Sequence, residues 1–241
     1  MSITARCEQA ALELRSALDG LAFAPPVAYV YQPLDYAWAM YQAYLRRFVT
    51  GRRRVVLLGM NPGPFGMAQT GIPFGEVAAV RDWMGLAAAI GRPDQEHPKR
   101  PVLGLDCPRS EVSGRRLWGL CAERYPQANN FFAEHLVLNY CPLLFIEAGG
   151  RNRTPDALPA QEAAAVMTAC DEHLRQVVAA VQPEWLIGIG AFALRQATRG
   201  LAGQPLRLGT ILHPSPASPA ANRGWAEAAT KQLVDLGVWC S

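Results

Sequence analysis

Residues 55–76 read VVLLGMNPGPFGMAQTGIPFGE. The opening run, Val55–Met60, is continuous, apolar and rich in Val and Leu, as in a strand covered on both faces. It runs into GMNPGPFGMAQTGIPFGE (59–76), which holds five glycines and three prolines. Glycine permits unusual dihedrals and close backbone approach, and proline fixes φ. The segment therefore reads as a rigid loop with exposed amides, shaped as a ligand cradle. No GK[ST] follows, so it is not a P-loop.

Working outward, three more apolar runs repeat the strand signal: Leu136–Asn139, Trp185–Ile189 and Thr210–His213. Helical patterns separate them, at Val80–Ile90, Glu111–Glu123, Leu158–Val181, Ala191–Leu201 and Pro219–Leu236. The last has a clear start, with Ser218 as N-cap and Pro219 at the first helical position. Upstream, residues 3–20 read as an amphipathic helix ended by Pro25-Pro26. Tyr29-Val30-Tyr31 reads as extended and Leu34–Phe48 as an aromatic-rich helix. Apolar strands alternating with helices predict an α/β fold: a three-layer α/β/α sandwich on a central four-stranded parallel sheet. The chain, 1–241, reads as one domain with N-terminal helices (about 3–50) packed on that core.

The composition agrees. Of 241 residues, 50% are hydrophobic and 18% charged, enough to bury a core and contrary to disorder. No apolar run approaches the roughly 18–20 residues that span a bilayer, so no membrane association is expected. The N-terminal MSITARCEQAALEL lacks a cationic start followed by an apolar block, so no secretion signal is expected. Six cysteines (Cys7, Cys107, Cys121, Cys141, Cys170, Cys240) form no CxxC. That disfavours a zinc ribbon, a thioredoxin motif or an iron–sulfur cluster, and fits a reduced cytosolic protein. Four histidines make no HxxxH or HExxH pair, so a zinc hydrolase is disfavoured and no metal is expected.

The net charge of +3 permits a nucleic-acid partner without demonstrating one. The cations are lopsided, 21 Arg against two Lys (Lys99, Lys231). A GC-rich genome and selection for phosphate contact both account for that. RRFVTGRRR (46–54) carries the same ambiguity: a solvated helix end plus the polar start of a strand, or a DNA contact.

Ligands of such sheets bind outside the carboxyl ends of the strands. Asn61 lies just past the first strand, Asn139 at the end of the second and His213 at the end of the fourth. Three polar groups thus converge on one rim. His213 opens a stiff loop in ILHPSPASPAANRGW (211–225), held by Pro214, Pro216 and Pro219. GIGAFA (188–193) reads as a tight strand-to-helix turn, because no acidic residue near position 210 completes a dinucleotide fingerprint. No GxSxG is present, and Asp35 and Asp82 show no hydrolase spacing.

GMNPGPFGMAQTG with PFGE, LNYCPLLF (138–145), HPSPASPAANRGW (213–225) and QEHPKRPVLGLDCPRSEVSG (95–114) closely resemble the single-strand-selective monofunctional uracil-DNA glycosylases of the uracil-DNA glycosylase superfamily. The resemblance runs from about Tyr29 to the last helix. Related clades carry different loops, and the iron–sulfur clades need cysteines that this chain lacks. The resemblance implies a DNA repair glycosylase that hydrolyses the N-glycosidic bond of uracil, and of 5-substituted uracils such as 5-hydroxymethyluracil, in single- and double-stranded DNA. It would leave an abasic site and use no cofactor. The target base must be unpaired or flipped out of the duplex.

By the same resemblance, Asn61 positions the attacking water and His213 hydrogen-bonds the uracil O2, where charge develops as the base departs. Phe74 stacks on the base, with Phe65 a second candidate. Asn139 reads the uracil edge. A flipped Asn139 amide would suit cytosine equally well, so a further group must hold its orientation. Backbone amides near Met60 and Phe74 would assist, like an oxyanion hole. Gly63, with Met60 nearby, would leave room beside C5. Pro214, Ser215, Pro216, Ala217 and Ser218 form the loop expected to wedge into DNA. Neither main motif holds a lysine, so no Schiff base is expected. Ala217 departs from the basic residue that animal relatives carry there, and Arg223 would compensate in part through phosphate. Rival readings are a relative that prefers xanthine or hypoxanthine, and a binding protein without turnover. The second conflicts with keeping Asn61, Phe74, Asn139 and His213 together. A monomer is expected, in the cytoplasm with the nucleoid, or in the nucleus if the source is eukaryotic.

Overall fold

The computed structural model describes residues 1–240; Ser241, where the expected domain ends, lies outside the described residues. The chain runs through α1 (Ile3–Leu18), β1 (Val27–Tyr31), α2 (Pro33–Tyr36), α3 (Trp38–Phe48), β2 (Val55–Gly59) and α4 (Met67–Thr70). It continues with α5 (Val112–Arg124), α6 (Ala128–Glu134), β3 (His135–Asn139), β4 (Leu144–Glu147), β5 (Asn152–Arg153) and α7 (Ala160–Val181). β6 (Trp185–Ile189), α8 (Ala191–Gly200), β7 (Arg207–Ile211), α9 (Pro219–Asn222) and α10 (Trp225–Asp235) complete it.

The central sheet has four parallel strands in the order β3-β2-β6-β7. Every residue of β2, β3 and β6 is buried. Strands with no solvent face need helices on both sides, and that requirement produces the α/β/α layering. Fully burying one Val or Leu contributes roughly 1.5–3 kcal/mol, so these uninterrupted apolar strands anchor the fold. The register sets Gly59 beside Asn139 at the carboxyl end, so β2 and β3 finish level. α1 lies along α7, and α8 packs on β6 and β7.

Several expectations shift. The fourth strand is Arg207–Ile211, not Thr210–His213. It ends there because Gln232 Oε1 accepts from the Leu212 amide at 2.8 Å and Trp225 Nε1 donates to the Leu212 carbonyl at 2.7 Å. His213 therefore stands two residues beyond the strand. The helix expected at Val80–Ile90 is only a π-type turn, Ala79–Trp83. Gly85, at φ +60°, turns the chain away, and Arg47 donates to its carbonyl at 2.9 Å. The helix expected over Leu34–Phe48 breaks at Ala37, where Gly71 of the long loop packs against the Ala37 backbone. The last helix breaks at Gly224, at φ +144°. The Ser218 cap holds: its hydroxyl accepts from the Ala221 amide at 3.3 Å.

A second sheet, β1-β4-β5, is antiparallel and was not expected. Tyr29-Val30-Tyr31 is extended because it pairs with Leu144–Ile146.

Four of the five arginines in 46–54 contact the fold through their side chains, and Arg52 is exposed. Arg53 is buried and donates twice to the Phe48 carbonyl, closing the end of α3. Arg46 pairs with Glu8 at 2.7 Å, and Arg54 with Glu134 at 3.0 Å. Residues 52–54 also precede β2, at the end of the sheet opposite the ligand rim.

Candidate active site

A cleft of about 640 Å³ opens at the carboxyl ends of the central strands. Met60, Asn61, Gly63, Phe65, Phe74, Asn139, His213, Ser215 and Pro216 all line it; Pro214, Ala217 and Ser218 do not. Ala217 is exposed at the loop tip. Another hollow, of about 560 Å³, involves Leu120 and Val234 and gathers no strand-end residue.

The long loop after β2 delivers Met60, Asn61, Gly63, Phe65 and Phe74. Asn61 Nδ2 donates to the Leu143 carbonyl at 3.2 Å, which commits its amino end and leaves its oxygen to orient a water. Phe74 sits at φ +54°, a conformation that costs a non-glycine residue on the order of 1–3 kcal/mol and that surrounding contacts must enforce. α5 supplies them. Trp118 Nε1 donates to the Phe74 carbonyl at 3.0 Å, and Gly114 faces that carbonyl so closely that a Cβ there would overlap it. The strain fixes the ring at the cleft.

Asn139 ends β3. Its Nδ2 donates to Met67 Sδ at 3.3 Å, while Oδ1 is buried without a partner. An orphaned buried acceptor costs about 1–3 kcal/mol, so its presence marks a place kept for a donor. Gly59 makes this geometry possible: a Cβ there would overlap both Asn139 Oδ1 and the Phe74 ring edge.

His213 Nδ1 accepts from the Ser215 amide at 3.1 Å, so the neutral ring carries its proton on Nε2. Burial holds the imidazole pKa below its ordinary value, which keeps it neutral at pH 7. Gly190, at φ +91°, backs the ring; a Cβ there would come within 3.1 Å of His213 Cβ. The GIGAFA turn thus seats the histidine as well as reversing the chain. Arg116 on α5 braces the loop, donating to the Pro214 carbonyl and to Asn222 Oδ1, each at 2.9 Å. Asn222 Nδ2 in turn donates to the Pro216 carbonyl at 2.9 Å.

Gly63 lines the cleft, as expected of a residue near the base. A Cβ at Gly63 or Gly66 would overlap the Glu111 carboxyl. Glu111 lies in SEVSG, where the sequence alone assigns it no role. Its carboxyl pKa is pushed up to about 7, first by burial and then by Glu76, with the Gly114 amide opposing. Oε2 has no partner. Between about pH 4.5 and 7 the unfolded chain ionises at this residue while the folded chain keeps its proton. Stability therefore falls as pH rises through that window and levels off above it. The difference amounts to roughly 3 kcal/mol. Glu111→Gln is expected to raise Tm by several °C at pH 8.5 and to change it little at pH 4.5. A Tm shift equal at both pH values would contradict this.

Gly59, Met67, Arg116, Trp118 and Asn222 are further residues that sequence reasoning did not assign. Arg109 joins them: its guanidinium lies 4.0 Å above the Phe65 ring at the cleft mouth, with Arg100 at 5.3 Å. The Phe65 ring thus already carries guanidinium contacts.

Residues 47–234 match the model of the Uracil DNA glycosylase superfamily. The rat protein named single-strand selective monofunctional uracil-DNA glycosylase is 48% identical over 229 residues, covering 94% of this chain and 82% of the relative. The mouse protein of that name is 47% identical with the same coverage. The bovine one is 46% identical over 232 residues, covering 95% and 85%. Among solved structures, wild-type Pedobacter heparinus SMUG2 superposes with a TM-score of 0.67, over 99% of this chain and 98% of that one. Its identity is 16%, so the likeness is one of fold.

Proposed function

This chain belongs to the uracil-DNA glycosylase superfamily, in its single-strand-selective monofunctional family, and from that membership we propose that its cleft takes a uracil flipped out of DNA and hydrolyses the N-glycosidic bond. The observation that carries the reading is one rim where an unpaired acceptor, a fixed donor and a water-orienting amide meet: Asn139 Oδ1, His213 Nε2–H and Asn61. Uracil offers the complement, a donor at N3 and acceptors at O4 and O2.

Flipping costs a few kcal/mol. Stacking on Phe74 offsets about 1–3 kcal/mol of that, and the Asn139 contacts supply more. The Asn61 amide is not basic, and the one free lone pair of the His213 ring, on Nδ1, is taken by the Ser215 amide, so neither takes a proton from water before the bond breaks. The C1′–N1 bond then breaks first, its electron pair leaving with the base. Nε2–H of His213 donates to O2, where the negative charge gathers. Water held by Asn61 adds to the cation-like C1′. Its proton passes out to solvent or to the departing base, leaving an abasic site and free uracil. Neither Lys99 nor Lys231 lines the cleft, so no amine is placed to form a Schiff base and nick the strand.

We also assign to this cleft 5-substituted uracils such as 5-hydroxymethyluracil, and duplex as well as single-stranded DNA, for an enzyme acting as a monomer. Activity on duplex should be the weaker, because Ala217 at the loop tip is too short to fill the gap left by a flipped base. Ala217→Arg is expected to raise duplex excision severalfold with little change on single strands; equal rates would place the wedge elsewhere. The substrate assignment is tested by offering uracil, 5-hydroxymethyluracil, xanthine, hypoxanthine and thymine in both strand forms. Alkali then reveals abasic sites. Cleavage at the first two and not at thymine is expected. A preference for xanthine or hypoxanthine would overturn it.

A further inference from the structure

The two ends of an asparagine side chain have the same shape, so packing alone does not decide which faces N3 of a bound base. With Nδ2 toward the O4 position and Oδ1 toward N3, Asn139 pairs with uracil. Reversed, it pairs with cytosine, Nδ2–H donating to the ring N3 and Oδ1 accepting from the N4 amino group. Cytosine is a normal base in vast excess, so this polarity decides whether the cleft repairs DNA or damages it.

One polar contact distinguishes the ends of the Asn139 amide. Met67 Sδ lies 3.3 Å from Nδ2. A thioether has lone pairs and no hydrogen, so it can accept and cannot donate. Oδ1 is buried with no hydrogen-bond partner, and a Cβ at Gly59 would overlap it. Reversing the amide would set oxygen lone pairs against sulfur lone pairs and would leave its N–H groups without an acceptor where Oδ1 now stands. Met67 is itself buried at the first position of α4, and the Gly71 amide donates to its carbonyl at 2.8 Å. The sulfur is therefore a fixed acceptor.

We propose that Met67 sets the polarity of the Asn139 amide and thereby makes the cleft read uracil and refuse cytosine. The inference rests on the reading of the cleft as a uracil site. It makes Met67 a positioning residue that acts on specificity through Asn139.

The test compares the full chain with Met67→Leu, which keeps the volume and removes the acceptor. The probes are single-stranded oligonucleotides carrying one 2′-fluoro-2′-deoxyuridine or one 2′-fluoro-2′-deoxycytidine, whose glycosidic bonds resist cleavage. The readout is the ratio of the two affinities, which a merely structural defect would not move because it weakens both. Met67→Ile is a second acceptor-free variant should Leu fail to fold, as judged by thermal unfolding. The uracil-over-cytosine ratio is expected to fall about threefold to tenfold, the equivalent of one lost weak hydrogen bond. An unchanged ratio in a folded variant overturns the role of Met67 and leaves the uracil site standing. A wild-type chain with no preference overturns the uracil site itself, and this inference with it.

Discussion

His213→Ala is expected to slow single-turnover excision of uracil by about 10²–10³-fold, the usual cost of losing one donor to a developing anion. Affinity for uracil-containing DNA should change by only severalfold, because O2 carries much less charge before the bond breaks than after it. The tautomer underlies the argument: the Ser215 amide donates to Nδ1, so Nε2–H is the end free for O2. It also sets the response to pH. Burial lowers the His213 pKa, so the neutral form persists through pH 7 and protonates only as pH falls through that lowered value. Protonation would put a hydrogen on Nδ1 against the Ser215 N–H and disturb the loop braced by Arg116. Excision should accordingly be flat around neutrality and fall at acid pH. A full rate in His213→Ala would remove the residue from the chemistry.

Gly59→Ala is the second large effect, expected to lower excision by 10²-fold or more. The added methyl would overlap Asn139 Oδ1 and the Phe74 ring edge together. One substitution thus displaces both the edge-reading amide and the stacking ring, and misplacements of about 1 Å can cost about 10²-fold. Gly119→Ala is the control, since a Cβ there meets nothing within 4 Å. The control should keep full activity. Full activity in Gly59→Ala would mean that neither side chain depends on its present position.

Much of this was legible in the sequence for identifiable reasons. β2 and β6 announced themselves because both faces are buried and no polar residue interrupts them. β7 was misplaced by three residues because RLGTI is an edge strand with exposed Arg207 and Thr210, while the apolar Leu212 that followed it is held by side chains from the last helices. The Val80–Ile90 helix failed at Gly85, whose positive φ no periodicity reveals. β1 was seen as extended, but its partner β4 lies more than a hundred residues away and a local pattern does not reach that far.

The site divides in the same way. Asn61, Asn139 and His213 could be placed because strand ends share a rim. Phe74 could be chosen over Phe65 only by resemblance, and the structure adds the two guanidiniums that occupy Phe65. What supports these groups was not legible: Trp118 on the Phe74 carbonyl, Arg116 on the Pro214 loop and Met67 on the Asn139 amide. Each joins residues distant in sequence through one side-chain contact. Nor was the Glu111 carboxyl legible, which a Cβ at Gly63 would overlap.

The most direct measurement incubates the purified chain with a single-stranded oligonucleotide carrying one uracil and follows both free base and strand length. The expected result is stoichiometric release of uracil, with a strand that stays intact until alkali cleaves it at the former uracil. No released uracil would contradict the central claim that this rim is a glycosylase site. A strand nicked before alkali would contradict its monofunctional chemistry.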